Sequence, residues 1–581
     1  MKADKADIGD IFINNKLLEI PFFQRSYVWK EDNWNRLLED LLSMCREEKL
    51  HFIGSVILRD SVIDNPADEE FAGKFTVVDG QQRLTTLQVL LRVVSIINGK
   101  TASFDNMFKA FRDDGVWANE FRPGRNDRQA FDRIMSLTTL EDLSEESGPL
   151  YKAYEWFRTN IDAEKASILD LKKIQTNLAF VKITVQGDED EQEIFDSINS
   201  LGVRLTTAEL LKKEIFGYDD VEIYESTWLP VFEKDSETEA FWSHEITLGR
   251  LTKALVDHFL YSFLQIKIND GSIRLSAEAK DDFQRSEKLF PSYKTLIKDH
   301  YNGSGLSLLP ELMDYAKLYF DNVDPELPAS DMVGASNRIR VLTLALGLET
   351  STLIPYVLYV LKNNEDVNEQ EEIFQFLESY VMRRLISKKG TKNYNRFFTE
   401  SLIGNGILTP SALIEYFSEI ESDNTNAFPT DAELKEGFES SALYNKQAAG
   451  VLYFLETYSR DEAKESTKLL GLSKYSLEHL MPQKWTPEKW GEPEDEERRN
   501  KLKMTLGNLA IITQKLNGSL QNDAWRKKVE GDGKKGGLET YGSMLLLLGK
   551  YLKLPVWDEE AIESRANDLY GIAVKAWPSI R

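Results

Sequence analysis

Cysteine is nearly missing: of 581 residues, only Cys45 carries a thiol. One thiol excludes an intrachain disulfide and zinc sites built on several cysteines. It suits a reducing, cytoplasmic compartment. Histidine is also scarce, with five: His51, His244, His258, His300 and His479. Positive charge is in deficit, since 71 Lys+Arg face 96 Asp+Glu for a net of −25. That balance argues against coating nucleic acid through bulk charge. Long apolar runs are lacking too. The most apolar stretch, Ile339 to Leu361, is interrupted by Arg340, Glu349 and Pro355. It reads as two buried helices, with no membrane span. The opening MKADKADIGD has no apolar h-region, so no secretory signal is visible. No repeat of fixed period and no low-complexity tract stands out.

What is present is an ordinary globular composition, 42% hydrophobic and 29% charged. The length suggests several domains. Periodicity predicts a mostly helical α+β chain. Strands are expected at Phe52–Leu58, Phe75–Val78 and Phe180–Val185. A helix capped by Asp32 carries Trp34, Leu37, Leu38, Leu41, Leu42 and Cys45 at helical spacing. A second, after Gly80, has Leu84, Leu87, Leu91 and Val94 on one face. Thr206 with Glu209 makes a capping box that opens a third. From about Gly217 to Ile420 the patterns are nearly all helical. The chain restarts near Asp431, with a short β-type region after Ser476. We expect domains at 1–216, 217–425 and 426–581.

The string KFTVVDGQQRLTTLQVLLR runs strand, tight turn, helix. A glycine permits the sharp turn, and the first helical N–H groups then form an anion site. Arg83 adds a fork for phosphate oxygens. Asp79 can hold a Mg2+ that bridges them. Gln81 and Gln82 can orient a water or a base edge. Asp-Gly alone is an everyday turn; the whole string after a buried strand is more telling. No G-x-x-x-x-G-K-[ST] occurs, so this is not a P-loop. The run Pro21 to Trp29 sets Arg25 among aromatics, suited to stacking a base and meeting a phosphate. The same run is equally a cation–π contact. Asn199, Gly202 and Arg204 lie in a polar turn ahead of the capped helix.

Of the histidines, only His479 sits in a context that suggests chemistry, LEHLMPQKW. Asn508 follows 29 positions later, in LGNLAIITQKLNGSLQN. A strand with a histidine, a loop, then a strand-to-helix turn holding asparagines is the layout of a one-metal phosphodiesterase. Glu478 and Asn517 offer hard oxygen ligands to Mg2+. His479 is the candidate base. Asn508 is placed to hold the imidazole in the right tautomer, and Pro482 ends the strand.

Charge is uneven along the chain. Residues 471–581 hold 18 Lys+Arg against 16 Asp+Glu, far less acidic than the rest. Lys515, Arg526, Lys527 and Lys528 can track a DNA backbone. A second patch, VMRRLISKKGTKNYNRFFT (381–399), has six bases, among them Arg383, Arg384 and Lys388, and no acid. It is read as a nucleic-acid contact or a helix end at a domain interface.

In chain order come PFFQRSYVW, HFIGSVIL, VVDGQQRLTTL, FDSINSLGVRLTTAELLK, SYVMRR, LEHLMPQ and LGNLAIITQKLN. With these motifs the chain resembles GmrSD-type modification-dependent (type IV) restriction enzymes over most of its length. The resemblance implies a ParB/sulfiredoxin-like N-terminal domain and a C-terminal HNH-type, ββα-metal nuclease domain. It implies that Asp79, Gly80, Gln81, Gln82 and Arg83 carry hydrolysis of an NTP, GTP or ATP, with Arg25, Asn199 and Arg204 lining the pocket. His479 matches the general base, Glu478 a ligand of Mg2+ or Mn2+, and Asn508 and Asn517 the HNH asparagines. Phe23 stands where a tyrosine is frequent and Ala510 where a threonine is.

The expected function is therefore a nucleotide-regulated, Mg2+-dependent DNA endonuclease of anti-phage defence that cleaves modified DNA, with a homodimer admitted and no membrane partner. One alternative keeps the architecture and changes the target to unmodified DNA or RNA, as an NTP-gated nickase. Another is a non-cutting, nucleotide-switched DNA-binding protein.

Overall fold

The computed structural model describes residues 2–12, 16–61, 68, 71–111, 117–185, 206–248, 251–421, 424–463, 468–520, 522–531, 536–542 and 544–580. The fold is mixed α+β and mainly helical, in two units, Met1–Glu222 and Ile223–Arg581.

The first unit is built on a six-stranded mixed sheet. Its elements are β1 (Lys2–Ala6), α1 (Ile8–Phe12), β2 (Lys16–Glu19), α2 (Glu31–Glu47), β3 (His51–Ser61), β4 (Gly73–Asp79) and α3 (Gln81–Ile97). A small hairpin, β5 (Lys109–Phe111) with β6 (Trp117–Asn119), precedes β7 (Phe121–Arg122) and β8 (Leu178–Val185). The strand order is β1-β8-β3-β4-β2-β7. The expected strands β3, β4 and β8 are the central ones, because their apolar runs are buried: Val56, Ile57 and Leu58 are 0% exposed. β1 and β2 were not expected. The sequence KADKA is largely charged, and it is an edge strand whose partner β8 lies far away in the chain.

Helix α2 buries Trp34, Leu37, Leu38, Leu41, Leu42 and Cys45, as its spacing requires. Its cap is not Asp32. The helix begins after Lys30, whose N–H donates to Asn33 Oδ1 at 3.1 Å. Asp32 lies in the first turn, where a negative charge suits the helix dipole. Helix α3 is buried on nearly all sides, not on one face, so it is the unit's central helix. The Thr206–Glu209 capping box opens the helix Thr207–Ile215 as expected. Glu209 N donates to Thr206 Oγ1 at 3.2 Å and Thr206 N to Glu209 Oε2 at 2.7 Å.

Among its described residues, the second unit is helical apart from two antiparallel strand pairs. β9 (Glu245–Leu248) with β10 (Leu251–Ala254) falls in the segment expected to be nearly all helical. β11 (Tyr475–His479) with β12 (Leu509–Thr513) is the expected β region. Buried polar bonds cross residue 425. Trp577 Nε1 donates to Glu378 Oε1 at 2.9 Å, and Arg383 Nε donates to the Trp577 carbonyl at 2.7 Å; Glu378 is itself gripped by Arg340 with two bonds of 2.8 Å. The closing helix Glu559–Ala576 packs on the turn before β12, and only glycine permits this. A Cβ on Gly507 would lie 2.3 Å from the Ile562 carbonyl oxygen. Among the described residues, no helix is long and apolar enough to cross a membrane.

Candidate functional site

The turn between β4 and α3 needs its glycine. Gly80 has φ +98°, and a Cβ there would meet Val56 Cγ2 at 3.1 Å and the Ser55 carbonyl oxygen at 3.3 Å. The turn opens onto a polar cleft of about 450 Å³ that Arg25, Asp79, Gly80, Gln81, Gln82 and Arg83 all help to line. Arg83 lies across a second unusual glycine. Gly54 sits at a bulge in β3 with φ +120°, and a Cβ there would come within 2.9 Å of Arg83 Cζ. Arg83 Nη1 donates to the Ser55 carbonyl at 2.6 Å. Burial lowers the affinity of this guanidinium for its proton, and Asp79 beside it counters that.

The run 21–29 is fastened to this turn by side chains. Gln24 Nε2 donates to the Val77 and Val78 carbonyls at 2.7 and 3.2 Å. Tyr27 O–H and Thr86 Oγ1 lie 2.6 Å apart, and Trp34 Nε1 donates to Tyr27 Oη at 2.8 Å. Gln82 accepts from Val28 N at 2.8 Å and donates to the Ser26 carbonyl at 3.1 Å. Both ends of Gln82 are thus engaged, and it is 8% exposed. The expectation that it orients water or a base is corrected: it clamps the loop. Gln81 keeps a free end. Its Nε2 donates to the Arg25 carbonyl at 3.3 Å, whereas Oε1 is buried without a partner among the described residues, as is Arg25 Nε.

Sequence reading missed the far wall. Asn33, Arg36, Leu37 and Asp40 of α2 line the cleft with His51 and Lys213. The signal was available, since these α2 positions share one helical face by their spacing. Asn199, Gly202 and Arg204 lie outside the described residues.

In the second unit, β11 and β12 pair Glu478 with Ala510 and His479 with Leu509. His479 is half-buried at the strand end, and its Nε2 lies 3.0 Å from Gln483 Nε2. Burial, then the charges of Lys528 and Lys503, hold the imidazole down at about 4, so it is neutral at pH 7.

Asn508 does not bond the imidazole, and that expectation is corrected. It is 0% exposed with its amide saturated. Oδ1 accepts from Met481 N and Trp557 Nε1 at 2.8 and 2.9 Å, and Nδ2 donates to the Met481 and Lys503 carbonyls, both at 2.8 Å. It clasps the backbone just after His479, a step removed from the role expected. Arg565, fully buried, donates to the Leu506, Gly507 and Leu509 carbonyls at 3.2, 2.8 and 2.6 Å and fixes the Asn508 turn from the other side.

Glu478 is 7% exposed and ion-paired with Lys528, which also donates to the His479 carbonyl at 2.7 Å. Lys528 is 1% exposed, so its expected contact with DNA is corrected to an internal bridge. Asn517 Nδ2 donates to Ser476 Oγ at 3.1 Å and to the Leu477 carbonyl at 2.9 Å. The carboxylate of Glu478 and the amide oxygen of Asn517 are hard donors of the kind Mg2+ takes. The ammonium on Glu478 shows that this carboxylate already meets a positive charge. Among the described residues, no group of three or more His, Cys, Asp or Glu forms a metal cluster.

Two further contacts expected with DNA are corrected. Arg383 is 0% and Arg384 1% exposed. Arg383 donates to the Trp577 and Pro429 carbonyls and to Asp431; Arg384 donates to Tyr394 Oη and to the Ala427 and Gly390 carbonyls. Their charges are consumed inside the protein. Lys388, Lys515 and Lys527 are exposed.

The described residues thus offer one candidate site in each unit, a polar cleft at a glycine turn and a histidine on a β-hairpin. The sequence matches the family profile of the GmrSD restriction endonuclease, N-terminal domain, over residues 8–216, and that of the GmrSD restriction endonucleases, C-terminal domain, over residues 428–572. The chain belongs to the GmrSD-type restriction endonucleases: it is a nuclease, and DNA is its partner. No curated protein sequence matches it.

Proposed function

We propose that the chain is a nucleotide-regulated, Mg2+-dependent DNA endonuclease of the type IV kind, acting on modified phage DNA. In this reading the first unit, ParB/sulfiredoxin-like, binds and hydrolyses GTP or ATP, and the β11–β12 region forms an HNH-type nuclease. The observation that carries the reading is His479: a neutral, half-open imidazole at a strand end, followed by the backbone turn that Asn508 clasps, within the segment that matches the endonuclease C-terminal domain.

The residues divide the work. His479 takes a proton from the attacking water, a role that needs the unprotonated ring that burial maintains. The Gln483 amide donates to the acceptor nitrogen of that ring and would give way to the attacking water. Asn508, Trp557 and Arg565 keep the strand end and the following loop in register, so the base does not drift. Glu478, once released from Lys528, and Asn517 would hold a Mg2+, and the bound ion would stabilise charge on the scissile phosphate and on the leaving oxygen. In the first unit, the N-terminus of α3, Arg83 and Arg25 receive the phosphates, and Asp79 would hold their Mg2+.

The test uses DNA from phages that differ only in base or backbone modification, with and without GTP or ATP, and scores both cleavage and phosphate release. Metal-dependent cleavage confined to modified DNA and altered by a nucleotide is expected. Equal cutting of plain DNA would remove the modification from the proposal. Absence of cutting under every condition would remove the nuclease.

A further inference from the structure

Of the basic residues that follow the β11–β12 hairpin, Lys528 is turned inward. It belongs to a short helix, Trp525–Glu530, whose Arg526 and Lys527 are exposed while Lys528 is 1% exposed. Its ammonium ion-pairs with Glu478 and donates to the His479 carbonyl at 2.7 Å. One cation thus touches both residues of the Glu-His pair. The proposed reaction gives this cation no task.

Glu478 is 7% exposed, and a carboxylate so buried needs an opposite charge. Lys528 supplies it, on an arm that is well anchored. Trp525 Nε1 donates to the Leu554 carbonyl at 2.8 Å, and its ring stacks on Trp557 with centroids 5.1 Å apart. Trp557 in turn donates to Asn508 Oδ1 at 2.9 Å. Lys528 follows Trp525 by three positions, on the same side of the helical turn. From the loop after His479, Lys489 reaches the start of the arm. It donates to the Asn522 carbonyl at 3.1 Å and to Asp523 Oδ1 at 3.2 Å.

The oxygens that suit a divalent cation lie on the same side of the hairpin. Ser476 and Glu478, two positions apart on β11, share a face. Asn517 spends its amide N–H groups on Ser476 Oγ and the Leu477 carbonyl, which leaves its oxygen to meet a cation. Mg2+ takes such oxygens in near-octahedral geometry and keeps several waters. A buried carboxylate covered by an ammonium has little room for that shell, and two cations on one carboxylate repel. The two occupants are therefore exclusive. We propose that Lys528 is a resident counter-ion that closes the metal site, and that a divalent cation binds Glu478 only by displacing it. The helix Trp525–Glu530 is then an autoinhibitory arm whose tip is exchanged for the metal. The proposal rests on the reading of Glu478 as a ligand of the nuclease metal.

The test measures Mn2+ binding to the full chain, without nucleotide or DNA, by the electron paramagnetic resonance of the free ion. Wild type, Lys528→Met, Lys528→Arg and Glu478→Gln are compared. The difference between wild type and Glu478→Gln isolates the Glu478 site from any other. Lys528→Met is expected to bind Mn2+ there about tenfold more tightly or better, the lower end of what a close charge pair is worth. Lys528→Arg keeps the positive charge and is expected to bind no more tightly than wild type. A second measurement needs no variant, and it decides the matter if Lys528→Met does not fold. A lysine-acetylating reagent, read by peptide mass spectrometry, is expected to spare Lys528 in EDTA and to modify it in saturating Mn2+, with the exposed Lys515 as reference. Equal or weaker Mn2+ binding by a folded Lys528→Met would overturn the proposal, as would protection of Lys528 that Mn2+ leaves unchanged. Loss of Mn2+ binding in Glu478→Gln would then leave the metal reading standing. If wild type and Glu478→Gln bind Mn2+ alike, Glu478 is no ligand, and the reading falls together with the proposal.

Discussion

At the residue scale, the two proposed sites differ in what a single change should do. His479→Ala is expected to abolish DNA cleavage and leave NTP turnover unchanged, and Asp79→Ala to abolish phosphate release. A plasmid-nicking assay run beside a phosphate-release assay decides both; normal cutting by the His479 variant would end its assignment as the base. A third residue reports on folding. Asp127 accepts from Tyr27 N at 2.8 Å, and burial pushes its carboxyl up to about 6. Because the folded-state value is raised, the stability this group contributes is full below about pH 4 and is lost as pH rises through 6. Asp127→Asn should therefore remove a downward slope of stability between pH 4 and 6 and make the first unit more stable than wild type at pH 7, by roughly 2 kcal/mol. Urea melts at several pH values test this, and parallel wild-type and variant curves would contradict it. None of this was legible locally: the sequence named His479 and Asp79 through their neighbours, but Asp127 meets Tyr27 only in the folded chain.

At the element scale, the β4–α3 turn and the bulge in β3 work together. Gly80 turns the chain and Gly54 makes room for the Arg83 head. Adding a methyl group at Gly80 forces both a left-handed alanine and a close contact with Val56. Gly80→Ala is expected to destabilise the first unit by about 1–3 kcal/mol and to lower NTP turnover. An unchanged urea midpoint would refute the account. The turn was readable because a glycine, a buried strand before it and a helical apolar spacing after it are local signals. The role of Gly54 was not, since nothing beside it in sequence says that Arg83 will lie on it. Similarly, Asn508 was recognised as important through its motif, but its partners Trp557 and Lys503 are set by the closing helix region and by the turn before β12.

For the whole molecule, the excess of acid poses the question of which cations remain for DNA. The answer separates two kinds of base. Arg383→Ala removes a buried guanidinium that holds two carbonyls and Asp431, and it is expected to destabilise the second unit by about 3–5 kcal/mol. Lys515→Ala, at an exposed position, should leave stability unchanged, weaken binding to every duplex alike and reduce the salt slope by about 1. Thermal melts and salt titrations of binding check the pair; a stable Arg383 variant that loses only DNA affinity would reverse the assignment. The sequence by itself determined the central strands, the long helices, the glycine turn and the histidine motif, because periodicity, capping and tight-turn chemistry act among neighbours a few residues apart. Only the tertiary structure decided which charges face water and which face carbonyls, that Lys528 belongs to Glu478, and that Gln82 clamps a loop. Those outcomes depend on segments brought together from tens to hundreds of positions away, and a side chain's burial is settled by what packs over it, not by its own identity.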